Sequence, residues 1–239
     1  SIAHLYLVGN SLPDYWPADS TSYTAKAVSL AEAFTYDSGT HEYELNRMPG
    51  FPLFMAAVFI LAGWDLHAVV LAQGGLFCLA VLVLAVSLRR FLGGRLAGLA
   101  ALAALLSPPA VWASRQIATE STFASMWMLA LAGLVVAWQR EGWARYAGWL
   151  AFGLCSTAAV AIRPNGVLLF ALPGFYFTAT LWWAVSENGL RFWRMPLLWR
   201  AALQVALPGL LLVAFLAAWS ARNYLSRGYP KPTDLTEVV

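Results

Sequence analysis

The side chains best suited to chemistry in this chain are a few charged groups standing beside long apolar stretches. They are Asp19 in "PADSTSYTAKA" (17–27), Glu44 and Arg47 in "ELNRMPGFPLF" (44–54), and Glu120 in "SRQIATESTFASMWML" (114–129). Arg163 in "AVAIRPNGVLL" (159–169) and Arg222 with Asn223 in "SARNYLSRGYP" (220–230) complete the set. A carboxylate can accept a proton or steady a cation, and an arginine fork suits phosphate oxygens. Ionisable groups at the edge of hydrocarbon are functional candidates by default.

Each has a plainer reading. Asp19 precedes Ser-Thr-Ser and a weakly amphipathic segment, 20–34, with Tyr23 on its apolar spacing, so it also suits a helix N-cap. Glu120 opens an apolar helix, where the dipole favours an acid, and Arg115 five positions earlier is a candidate partner. Arg47 fits either snorkelling to headgroups or clamping a phosphate. His41, Glu42 and Glu44 offer nitrogen and oxygen ligands for a divalent ion, or form an ordinary solvated acidic loop. Arg163 and Arg222 read as ion-pair partners between loops or as a phosphate site.

The elements that must position these groups are transmembrane. The 239 residues are 60% hydrophobic and 11% charged, against about 25% charged in a soluble domain. Mean hydropathy is +0.64. Apolar segments at 67–88, 96–113, 121–139, 146–162, 166–186 and 201–220 predict six crossings. "SPP" at 107–109 should end the second of them. The run 51–62 is shorter and reads as a helix lying along the outer interface, with a short tilted crossing as the alternative. Cys78 and Cys155 fall in apolar runs with no disulfide or metal spacing and read as small buried filler.

With 51–62 left out of the crossings, the joints holding Arg89, Arg90, Arg95, Arg140, Arg145, Arg191, Arg194 and Arg200 share one side. Eight basic and two acidic residues there give +6; seven basic and ten acidic residues elsewhere give −3, together the formal +3. The basic joints belong to the cytoplasm. Asp19, Glu44, Arg47, Arg115, Glu120, Arg163 and Arg222 then all collect at the outer ends of helices. Walker, dinucleotide-binding, HExxH and GxSxG motifs do not occur in the sequence. The small net charge and short basic joints do not make a nucleic-acid stripe.

The order "ADSTSYTAKAVSL", "NRMPGFPLF", "ATESTFASMWMLAL", "IRPNGVLLF", "WSARNYLSRGYP" resembles the GT-C polyprenyl-phosphate-sugar glycosyltransferases, related to the protein mannosyltransferases and the lipid A aminoarabinose transferase. "ELNRMPG" stands where the aminoarabinose type carries Glu-Lys-Pro-Pro. The resemblance implies an all-α polytopic transmembrane bundle with juxtamembrane helices in the first extracytoplasmic loop. That loop would span 11–66, the six crossings 67–220, and a further outer loop would start at 221–239. A helix before Asp19 and further helices after residue 239 are expected, making this part of a longer protein.

The resemblance also implies an inverting transferase of the plasma (inner) membrane, working on its extracytoplasmic face. A polyprenyl phosphate sugar would be the donor and a lipid, glycan or protein the acceptor. Asp19 and Glu120 would be catalytic. Tyr23, Glu44, Arg47, Arg115, Arg163, Arg222 and Asn223 would bind substrate, and a divalent metal would sit on His41, Glu42 and Glu44. A transporter or flippase of a lipid-linked anion, or a non-catalytic assembly subunit, are the competing classes.

Overall fold

The structure is a computed structural model that describes residues 20–36, 47–188 and 196–227. Its helices are α1 (Ser20–Ala33), α2 (Gly50–Ala62), α3 (Leu66–Leu92), α4 (Gly94–Leu105), α5 (Pro108–Arg115), α6 (Thr119–Gln139) and α7 (Trp143–Ile162). A 3-10 segment (Pro164–Phe170), α8 (Ala171–Asn188) and α9 (Pro196–Arg227) follow. Every regular element among the described residues is helical, the arrangement that lets a chain satisfy its own backbone in lipid.

Five helical stretches are long and apolar enough to cross a membrane, and six if α4 and α5 count as one broken span. The protein is therefore a polytopic, all-α membrane protein. Large apolar side chains such as Leu71, Val86, Leu99 and Val213 are exposed on the bundle's outside, where lipid rather than water meets them.

The expected single helix over 96–113 is instead two helices bent by 52°. Pro108 and Pro109 lack backbone donors and occupy the first turn of α5, while Ser107 before them is held extended at φ −65°, ψ 127°. The prolines thus end one helix and start another. Pro164 acts in the same way. Arg163 is extended at φ −143°, ψ 133°, so α7 stops at Ile162 and a 3-10 turn begins at once.

Helix α2 has 13 residues, about 20 Å of length against a hydrocarbon core of about 30 Å. It is anchored at its start, because a Cβ on Gly50 would lie 2.6 Å from the Ala161 carbonyl carbon at the end of α7. Tyr23, Phe51, Met55, Ile117 and Ile162 form one buried cluster. It joins α1, α2, the approach to α6 and the end of α7.

Below it, α6 and α7 pack at backbone contact. A Cβ on Gly148 would meet the Gly133 carbonyl oxygen at 2.7 Å and the Ala137 nitrogen at 2.6 Å, the close approach by which membrane helices gain dispersion contact. Trp149, Phe152 and Leu169 fill the adjoining core. Of the two cysteines expected to be buried, Cys155 is partly covered and Cys78 is exposed. Cys78 follows Phe77, which takes the inward position on α3.

Candidate functional site

The first residues of α6 and the last of α7 meet at one end of the bundle. Helix α6 starts after extended Ala118 with no side-chain cap, and Glu120 lies in its first turn, where the free amides favour negative charge. Arg163, held extended by Pro164, turns back across this helix start. Its Nε donates to Thr119 Oγ1 at 2.5 Å, and its Nη2 pairs with Glu120 Oε1. The turn leaving Arg163 is compact because Gly166 packs on the Ala159–Val160 backbone, where a Cβ would lie 2.5 Å from the Val160 nitrogen.

The ion-paired side chains of Arg163 and Glu120 are 40% and 48% exposed. At that exposure the pair contributes at most about 1 kcal/mol, and both partners can exchange a contact for a ligand. Glu120 takes Arg163 as its partner, in place of Arg115 expected from the sequence. Arg115 stands exposed in the last turn of α5, where a cation suits the carbonyl end of the helix.

Glu120 is placed by a clamp on the three residues before α6. Gln73 of α3, fully buried, donates through Nε2 to the Gln116 carbonyl at 3.1 Å and the Ala118 carbonyl at 3.2 Å. Between them, the Ile117 carbonyl accepts from Ser20 Oγ at 2.7 Å. Three successive carbonyls of a non-helical stretch are thereby satisfied inside an apolar bundle, where leaving them bare would be costly.

A second cluster of charge surrounds Tyr36. Its hydroxyl donates to the carbonyls of Arg47 and Met48 at 3.0 and 3.3 Å. Lys26 Nζ and the Arg222 guanidinium each lie 5.2 Å from its ring centre. Arg222 donates to the Tyr36 carbonyl at 2.8 Å and to Asn223 Oδ1 at 3.1 Å, and it also faces Trp219. Arg47 donates to the Tyr23 hydroxyl at 3.2 Å while facing its ring. Burial pushes the Tyr36 phenol well above the ordinary tyrosine value, partly offset by the charge of Arg222 and Arg47. Tyr36 therefore stays neutral and remains a donor.

An apolar cleft of about 330 Å³ leads away from Glu120, between α3, α5 and the start of α6. Phe77, Pro109, Ala113 and Met128 form its sides, and Glu120 with Ser121 its polar end. The Ser121 hydroxyl is buried without a hydrogen-bond partner, as is Gln73 Oε1.

Of the residues singled out in the sequence, Tyr23, Arg47, Arg163, Glu120, Arg222 and Asn223 are engaged in these contacts. Asp19, Glu44, and the proposed metal ligands His41, Glu42 and Glu44 lie outside the described residues. Among the described residues no group of three or more His, Cys, Asp or Glu is placed to hold a metal ion. Gln73, Ser20, Lys26 and Tyr36 were missed. Gln73 had a readable signal, an amide inside a span-length apolar run. Lys26 had another, a lysine at the inward spacing of α1.

No protein-family model, curated protein or solved structure matches this chain.

Proposed function

We propose that this membrane protein is a glycosyltransferase that moves a sugar from a polyprenyl phosphate donor to a lipid, glycan or protein acceptor at the extracytoplasmic face. The observation carrying this reading is that half-exposed Glu120 stands at the polar end of an apolar cleft and holds Arg163 in an ion pair. A lipid chain suits the cleft, and a phosphate suits the guanidinium that Glu120 holds. Five further features support it: the Asp19 motif, the cations Arg47, Arg115 and Arg222, and the ordered motifs of the GT-C resemblance.

In this reading Arg163 meets the phosphate. As the acceptor attacks the anomeric carbon with inversion, the bond from that carbon to the phosphate oxygen breaks. Charge then builds on the leaving polyprenyl phosphate, where a preorganised cation counts most. Asp19 takes the proton from the acceptor hydroxyl or amine. Glu120 and Thr119 steady Arg163. Arg222 is bound to Tyr36 and Asn223, so it serves by holding the wall of the site, as Arg47 does through Tyr23. Glu44 and Arg115 are assigned to substrate binding. A divalent ion on His41, Glu42 and Glu44 would add further charge at the phosphate; no step here depends on it.

Charged residues of the described spans lie near their ends, as Arg89, Glu120, Arg145 and Arg222 do, which suits surface chemistry better than an ion relay at the midplane. The test is incubation of the full protein, and of its Asp19→Asn and Arg163→Gln variants, with lipid extract containing polyprenyl phosphate sugars. Free polyprenyl phosphate released by wild type and lost in both folded variants supports the transferase. Transfer of intact donor between leaflets without release would make the protein a transporter instead.

A further inference from the structure

The opposite end of the bundle carries a different concentration of charge. Arg89 and Arg90 close α3, Arg95 lies in the first turn of α4, and Arg140 and Arg145 flank the turn between α6 and α7. The two ends are tied together, since Gln139 Nε2 donates to the Ser87 carbonyl at 2.9 Å, while Arg145 Nε braces the α6–α7 turn by donating to the Arg140 carbonyl at 3.0 Å. Arg89, Arg90, Arg95 and Arg140 are exposed, with Glu141 the acid that stands among them. Trp138 and Trp143 are exposed beside them, at 52% and 83%. Indole rings at this level mark the boundary between hydrocarbon and headgroups.

A second apolar groove, of about 100 Å³, starts at this patch. It runs between α3 and α4, from Leu88 and Leu92 past Ala97 and Ala101 to Ala104 and Met128. On α3 the lining runs from Leu92 to Val81, about 16 Å along a helix, close to the ~15 Å that one leaflet's hydrocarbon occupies. At Ala104 and Met128 it reaches residues that also line the cleft below Glu120. The groove thus occupies about one leaflet's depth on the arginine side, and its Leu88–Leu92 end adjoins Arg89 and Arg90 in the chain.

We infer that this groove and the arginines around its mouth bind one anionic phospholipid of that leaflet, an acyl chain lying between α3 and α4 and its phosphate facing Arg89, Arg90 and Arg95. Cationic charge selects the headgroup, and the alanine face of α4 gives the chain a seat that flat lipid-facing helices lack. An inserted chain also supplies packing atoms between two helices that leave a gap there. The phosphate seat lies at the opposite end of the bundle from Glu120 and Arg163, and the inference does not depend on the proposed reaction.

The full protein is reconstituted in nanodiscs of mixed phosphatidylcholine and phosphatidylglycerol, then released into native mass spectrometry to read the lipids it keeps. Wild type should retain one phosphatidylglycerol in preference to phosphatidylcholine. Arg89→Gln, Arg90→Gln and Arg95→Gln should each weaken that preference about fivefold. Ala100→Phe, at an exposed position lining the groove, should lose the retained lipid with all arginines in place. Thermal melting of each variant confirms that it is folded. Equal retention of the two lipids by wild type, or an unchanged preference in the arginine variants, overturns the site. So does lipid retention by folded Ala100→Phe equal to wild type, which would reduce the patch to general surface attraction.

Discussion

Glu120 and Arg163, one in the first turn of α6 and the other just past the last residue of α7, form a single ion pair that also engages Thr119. Arg163 is fixed at Nε and Nη2, so its remaining donors stay free for an anion. Lysine could not hold that position, because it has one nitrogen where arginine uses two. Arg163→Lys should therefore lower polyprenyl phosphate release by about a hundredfold, the scale of a lost transition-state donor. Glu120→Gln, which keeps a hydrogen-bond acceptor, should lower it less. Initial rates at saturating donor decide the order of the two variants.

Gln73 should behave as a structural keystone despite its distance in sequence from any charged group. Gln73→Leu leaves the Ala118 carbonyl without its side-chain donor and the Gln116 carbonyl with the Ala118 N–H alone, at a cost of about 1–3 kcal/mol. The expected result is a lower melting temperature in detergent. Ser20→Ala, which frees one carbonyl, should show a smaller shift. Equal stability of wild type and Gln73→Leu would mean that other donors replace the amide.

Tyr36 gives stability a defined alkaline limit. Its folded pKa is raised, chiefly by burial, above the unfolded value of about 10. The folded state therefore keeps a proton that the unfolded chain releases. This contribution is fully present below pH ~10 and is lost progressively as pH rises from there toward the folded value. Tyr36→Phe should flatten the fall in melting temperature above that pH, while weakening the protein at neutral pH through two lost hydrogen bonds. A wild-type and Tyr36→Phe profile of the same shape would contradict it.

Gly148 should tolerate no side chain. A methyl there would press on the Ala137 nitrogen at 2.6 Å and on the Gly133 carbonyl, both of them backbone atoms that cannot swing aside. Gly148→Ala should force α6 and α7 apart and abolish a monodisperse peak in size-exclusion chromatography. Gly98→Ala, with open space around its position, should leave the peak unchanged.

The helical spans and the gathering of charge at their ends were legible in the sequence because lipid imposes length and composition on every crossing. The proline breaks were only half legible. "SPP" announced the end of α4, but α5 starting on those same prolines required seeing that a first turn needs no amide donors. Partners were harder. Glu120 had Arg115 nearby in the chain, yet the fold supplied Arg163, because the Pro164 break redirects that arginine across the start of α6. Arg222 read as an ion-pair partner or a phosphate ligand, whereas its donors go to the Tyr36 carbonyl and Asn223. Such contacts depend on how helices are rotated about their axes, and apolar runs exposed to lipid on one side and protein on the other encode that rotation weakly.

The backbone contact between α6 and α7, with their charges at one end, bears on how the chain enters the membrane. Glu120 opens the pair in the first turn of α6 and Arg163 follows it, with the short turn at Arg140–Gly142 between the helices. If the arginine-rich turns remain behind, both charges must pass to the far side during synthesis, each alone an obstacle to insertion. The glycine seam lets the two helices associate as a hairpin, and the salt link can close only after both ends have crossed. It would then act as a latch against retreat, recording that the hairpin has been fully threaded.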